Sequence, residues 1–442
     1  MNLHQKKVML LASTLPLLLF VFYAFTFFNK QPLATKEHAN CTPERHVCVM
    51  KTIFELDSAN AKPITRVDLP KDVKISIRRA LEWTEKAQLK DGGWGAGSHS
   101  RQDLKDPHAV SADPATTSLV LLSLLRTGNT LEWGTYKQQV NEATQFLLNA
   151  VEEWSPNQPR LTTLTGTQPQ QKLGQNIDVI LTAQYLTTLL KYHTRHPLKQ
   201  RIQAAIQKCV QRIEKEQDHD GNWKGGGWAP VLQSALADQA LENAKDAGMK
   251  VDDEVMRKSK TYQKSNFDTA TRSAITGKAA GVLLYSLSST TRSSAKEAKK
   301  ARLYIEKAKK EGKLKAGDEM NEENLKRAGV APAEAKELAA AHMINENTKR
   351  QSTRSDVMTG FGSNGGEELI SYLLTGESIM LQGGNDWKDW YETMSQRIMS
   401  IQKNDGSWEG HHCITSPVFC TAAALLILSI TNEMDMSFDD TF

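Results

Sequence analysis

Charge of one sign is what this sequence most plainly lacks. Its 55 lysines and arginines stand against 51 aspartates and glutamates, a net charge of +4 over 442 residues. That balance leaves no electrostatic footprint for nucleic acid as a global partner. Long alternations of apolar and polar residues are also missing, which argues against a β fold. No G-x-S-x-G elbow, H-E-x-x-H pair, phosphate loop or G-x-G-x-x-G after a strand occurs, so the common hydrolase, metalloprotease and nucleotide-binding signatures are absent. Cysteine is scarce, with five residues: Cys41, Cys48, Cys209, Cys413 and Cys420. Cys41 and Cys48 are near neighbours, as are Cys413 and Cys420; either pair admits a disulfide, the connectivity stays open, and one thiol is left over. What is present is ordinary for a folded body: 39% hydrophobic and 24% charged residues, too apolar for global disorder.

The first 30 residues depart from this average. Residues 8–28 form an uncharged, mostly apolar run preceded by Lys6 and Lys7. About 20 apolar residues span a bilayer core, and flanking lysines favour a cytoplasmic N-terminus. An uncleaved signal anchor and a cleaved signal peptide are the two readings of residues 1–30. Both put the body outside the cytoplasm, inner-membrane-anchored at the cell envelope or exported. Residues 31–70 read as a polar, proline-bearing linker. Helical patterning starts near Asp72, where Val73, Ile77, Ala80, Thr84 and Ala87 share one helix face, and the folded body is expected over 71–432, with a short tail over 433–442.

A repeat organises that body. Gln88 to Trp94, Gln217 to Trp223 and Gln402 to Trp408 each read Q-x-x-D-G-x-W. Each copy ends an amphipathic helix and precedes an apolar one, so the unit is helix, tight turn, helix. Gly92, Gly221 and Gly406 suit the left-handed backbone that stops a helix. The aspartate before each glycine suits backbone amides in the turn. Trp94, Trp223 and Trp408 offer a large plate with an indole N–H that needs an acceptor, and the glutamines offer both donor and acceptor. Helical hairpins of this kind stack into solenoids or close into rings. Residues 244–358 are atypical: Lys296 to Lys315 carries nine Lys/Arg against three Glu. This stretch reads as a charged helical elaboration with solvated faces.

The repeated turn followed by an apolar helix resembles the QW repeat of squalene-hopene cyclases, oxidosqualene cyclases and protein prenyltransferase β subunits. The resemblance spans roughly residues 72–430 and is strongest at 88–125, 217–243 and 402–430. It implies an all-α fold, the α/α toroid, with inner helices around a central cavity and outer helices around those. It also implies a bracing, non-catalytic role for Gln88, Trp94, Gln217, Trp223, Gln402 and Trp408. Trp228 to Ala237 and Trp408 to Thr415 are similar to stretches of exported bacterial proteins with prenyltransferase/squalene-oxidase repeats, which bring no established reaction. The resemblance makes a hydrophobic or isoprenoid ligand in the central cavity the expected partner.

Catalysis of the family's kind is not written in the sequence. Triterpene cyclases protonate an alkene with a D-x-D-D motif, which is missing here, and the chain has room for one helical barrel where class II cyclases carry two. Prenyltransferase β subunits hold zinc with an Asp, a nearby Cys and a later His. The nearest cluster here is Gly410-His411-His412-Cys413, with metal ligands expected at His411 and Cys413, although its spacing follows no recognised zinc pattern. Asp178, a carboxylate inside an apolar run, is expected to face water, a partner or the cavity. With His411 and His412 it completes the candidate catalytic set. Asp113 before Pro114 reads as a helix N-cap. A cyclase- or prenyltransferase-like enzyme and an envelope scaffold remain the two alternatives to a ligand-binding ring.

Overall fold

The computed structural model describes residues 69–430 except 156, 193–196, 224, 226, 360–364 and 383–384. Every described residue lies in one compact unit. The expected membrane segment 8–28 lies outside the described residues. Among those that are described, no helix is long and apolar enough to cross a membrane.

Fifteen α-helices are described: α1 Lys71–Lys86, α2 Pro114–Arg126, α3 Lys137–Glu153, α4 Gln168–Leu173, α5 Ile177–Tyr192, α6 Lys199–Lys215, α7 Pro230–Asp246, α8 Asp253–Lys264, α9 Leu283–Lys310, α10 Glu322–Arg327, α11 Pro332–Ser352, α12 Ser355–Met358, α13 Gly366–Gln382, α14 Asn385–Ser400 and α15 Pro417–Leu428. The only β structure among the described residues is one antiparallel two-residue pairing, β1 Phe267–Asp268 with β2 Ser273–Ala274, and an isolated bridge between Ser98 and Thr167.

Sequence patterning sorts these helices into two layers. Every residue of α2, α13 and α15 is buried, as befits helices without a polar stripe. Helix α1 instead buries one face, Val73, Ser76, Ile77, Ala80, Leu81 and Thr84, as its apolar spacing predicts. The buried helices pack in the cycle α2, α5, α7, α9, α13, α15 and back to α2. Six inner helices therefore close on themselves. Helices α1, α3, α6, α8, α11 and α14 alternate with them along the chain and pack around the outside of the cycle.

The three Q-x-x-D-G-x-W turns hold the layers together in the same way each time. Gln88 Nε2 donates to Gly92 O at 2.8 Å and to Gln139 O of α3 at 3.2 Å. Gln217 Nε2 reaches Gly221 O and Val255 O of α8, and Gln402 Nε2 reaches Gly406 O and Ser76 O of α1. Each glutamine thus ties its own turn to the next outer helix, and Gln402 ties the last turn to the first helix. The three indole N–H groups donate to Thr84 O, Ile213 O and Ile398 O, each ten residues upstream, at 2.7–2.9 Å. The glycines sit at φ +86°, +90° and +96°.

The charged stretch 244–358 carries part of the ring as well as an elaboration. Leu283 to Ala295 of α9 is an inner helix whose buried residues are largely Ser and Thr. Several of their hydroxyls bond back along the helix itself, Thr290 to Ser286 O and Thr291 to Leu287 O at 2.8 and 2.7 Å, while Ser286 Oγ donates to Ile275 O outside it. Beyond the ring, the second half of α9 joins α10 and α11 around a small separate core of Ala301, Ile305, Leu325 and Leu338.

Candidate functional site

The axis of the ring was the expected ligand chamber, and it is filled. Leucines 119, 122, 181, 236, 373, 374 and 426 leave about 30 Å³ among them. That is room for about one water, whereas a benzene-sized guest occupies a cavity of about 150 Å³. No aromatic side chain lines this space. One part of it is sealed by a buried ion pair. Arg126 Nη2 donates to Glu377 Oε1 at 2.7 Å and Nη1 to Leu426 O at 3.1 Å, while Gln239 Nε2 donates to Glu377 Oε2 at 3.1 Å. Large leucines from five facing helices meet at the axis, and the space they leave is smaller than the isoprenoid expected there.

Chemistry gathers instead where α13 and α15 begin. Helix α13 opens with Glu367 and Glu368, both fully buried. The loop before α15 brings His412 and Cys413 back over them. One donor atom from each of Glu367, His412 and Cys413 falls within 4.8 Å of the others. His412 Nδ1 lies 3.8 Å from Glu367 Oε1, and its Nε2 lies 3.6 Å from Glu368 Oε2. Each carboxylate is positioned by backbone: Glu367 Oε2 accepts from Ile414 N at 3.2 Å, and Glu368 Oε2 from Gly365 N at 2.5 Å. Glu367 Oε1 has no hydrogen-bond partner although the residue is 1% exposed. An orphaned buried carboxylate oxygen is costly unless something cationic meets it.

Cys413 has a left-handed backbone at φ +59°, an uncommon conformation for a residue with a Cβ. Burial first, and then the neighbouring Glu367 carboxylate, push its thiol up to about 12, against the opposing pull of Lys172. The same carboxylates and Cys413 act on Tyr285 of α9, whose phenol is raised chiefly by burial. His99 completes the neighbourhood: burial and then Lys172 lower its pKa, while a backbone hydrogen bond to Cys413 opposes them.

The residues singled out from sequence separate under this geometry. His412 and Cys413 meet. His411 is exposed and outside the group, because the chain turns between the two histidines. Glu367 and Glu368 were missed; their signal was two adjacent carboxylates opening an otherwise apolar helix. Asp178 is 1% exposed but does not line the axis. Its Oδ2 accepts from Leu161 N at 2.8 Å and its Oδ1 from Val179 N at 2.9 Å, anchoring the loop before α4. Burial, opposed by these amides and aided by Asp113, raises its pKa to about 7. Asp113 caps α2 as expected, accepting from Thr116 N at 2.8 Å. Cys413 and Cys420 are free thiols, as is the buried Cys209; Cys41 and Cys48 lie outside the described residues.

The comparisons with known proteins agree with the repeat. Residues 61–168 match the family model of the squalene-hopene cyclase C-terminal domain, part of the terpenoid cyclase/prenyltransferase superfamily. The matched stretch runs through α1, the first braced turn, α2 and α3. Searches of curated proteins and of solved structures returned no match.

Proposed function

We propose that this protein is a membrane-tethered α/α toroid at the cell envelope, its body outside the cytoplasm, and that it works through a divalent-metal centre at the start of α13 and α15. The tether is the apolar segment 8–28. The observation that carries the metal reading is the orphaned, buried Glu367 Oε1 facing His412 Nδ1 and Cys413. A nitrogen, a thiolate and a carboxylate suit a zinc-class ion, and three protein ligands leave a coordination position open, the pattern of catalytic rather than structural zinc. Glu368 beside His412 Nε2 is the outer carboxylate that orients a ligating imidazole and directs its other nitrogen at the centre. Such an ion supplies Lewis acidity and an activated water when bound. The protein's part is to hold the three donors, keep His412 in one tautomer, and bury Glu367 away from competing water.

A terpenoid-cyclase activity along the axis is disfavoured by the filled core. The test is metal analysis and solvent extraction of the purified full-length chain. About one equivalent of a zinc-class metal, lost in Glu367→Gln and His412→Ala but kept in His411→Ala, supports the reading. A metal-free protein that carries stoichiometric isoprenoid contradicts it.

A further inference from the structure

Two donors on one face of α4 reach the same loop that carries Cys413, and neither is matched by an acceptor of equal strength. Gln168 and Lys172 are four residues apart, hence on one helix face. Gln168 is fully buried. Its Oε1 accepts from Thr415 N at 2.6 Å and Ser416 N at 3.0 Å. Backbone amides only donate, so the amide orientation is set and Nε2 is a true donor. That Nε2 has no partner. Lys172 is 8% exposed, and no carboxylate stands within ion-pair distance of its ammonium among the described residues. Its charge instead opposes the rise in the pKa of the nearby Cys413 thiol, and its Nζ lies 4.7 Å from the centroid of the Trp228 ring.

A buried ammonium without an anion and a buried amide N–H without an acceptor are each unfavourable as they stand. Both are relieved by one guest, an oxyanion. Trp228 adds a second recognition element: it is 54% exposed, the most exposed of three exposed large hydrophobic residues among those described. Its backbone amide donates to Gln171 O at 3.2 Å, which keeps this segment beside α4, with the indole next to Lys172.

Resting on the metal centre proposed above, we propose that this site binds a ligand bearing a carboxylate or phosphate, with one oxygen taken by Lys172 and Gln168 Nε2 beside the metal's open position. The flat or apolar body of that ligand lies on Trp228. A divalent ion, the Glu367 carboxylate and the Cys413 thiolate sum to zero charge, and the Lys172 ammonium balances the remaining Glu368 carboxylate, so an anion is drawn by Lys172 locally and not by a net positive site. Glu368 is held between Gly365 N and His412.

The experiment loads full-length protein with cobalt(II) and titrates acetate, benzoate and inorganic phosphate, following the visible ligand-field bands. The expected result is a saturable change with at least one of these anions. Lys172→Met should weaken it tenfold or more with cobalt stoichiometry unchanged, and Trp228→Ala should remove any advantage of benzoate over acetate. Preference for acetate or for phosphate assigns the source of the oxyanion. Cobalt bands that no anion alters, or anion binding that Lys172→Met leaves intact, overturn the inference while leaving the metal centre standing. Failure to bind cobalt at all overturns the metal reading and this one with it.

Discussion

Replacing Gly406 by alanine tests how the ring is held shut. Gly406 sits at φ +96°, and a Cβ there would lie 2.5 Å from the carbonyl oxygen of Arg79 and 2.8 Å from its carbon. That oxygen belongs to α1, which carries the first unit of the ring, and it is backbone, which cannot swing aside. Two costs add. A left-handed alanine costs about 1 kcal/mol relative to glycine. Forcing a methyl into filled space adds about 1–3 kcal/mol. The control is Gly248, at φ +80° after α7, where an added Cβ meets nothing within 4 Å. Gly248→Ala should therefore cost about 1 kcal/mol and Gly406→Ala about 2–4 kcal/mol. Gly221, whose Cβ would fall 2.2 Å from Lys258 O, should cost at least as much as Gly406, and Gly92, with its nearest contacts at 3.0 Å, should fall between. Guanidinium unfolding of the full chain, followed by tryptophan fluorescence, measures all four. Equal losses at Gly248 and Gly406 would refute the idea that the turn glycines are required by close seating on the next helix.

Two further outcomes follow from buried charge. The Asp178 carboxyl is raised from 3.8 to about 7, so its ionisation opposes folding: its own contribution to stability is fully present below pH 4 and declines by roughly 4 kcal/mol as pH rises to 7. Asp178→Asn should remove that decline, and its stability relative to the parent should improve between pH 4 and 7 in pH-dependent denaturation; a constant difference would contradict the assignment. At the axis, Glu377→Ala leaves Arg126 buried without its anion and should cost about 3–5 kcal/mol. Arg126→Met combined with Glu377→Leu should cost far less in the same melting assay, and equal losses would show that the pair is not what matters there.

The ring was legible because its braces are spelled in side chains. Gln88, Gln217 and Gln402, with their tryptophans, repeat one hydrogen-bonding scheme, and the scheme needs those residue types. The inner helix Leu283 to Ala295 was not legible as part of the ring. No braced turn precedes it, and its buried residues are largely Ser and Thr, several of which bond back to their own helix, so that the stretch mimics a polar surface. The site was half legible. The metal reading paired Cys413 with His411, whereas the chain turns His411 outward and brings the adjacent His412 to Cys413. Glu367 is 45 residues from His412 in sequence and meets it only because α13 and α15 are adjacent in the ring. The tightness of the axis was not legible either: periodicity shows that inner helices are apolar, not how closely their leucines meet across it.

The most direct test of the metal centre is the near-ultraviolet spectrum of the cobalt(II)-loaded full chain. A thiolate bound to cobalt gives an intense sulfur-to-metal charge-transfer band, and ligation by Cys413 predicts that band with about one cobalt per chain. It should vanish in Cys413→Ser and survive in His411→Ala. A cobalt-loaded protein without the band, or with a band that survives Cys413→Ser, would contradict a centre built from Glu367, His412 and Cys413.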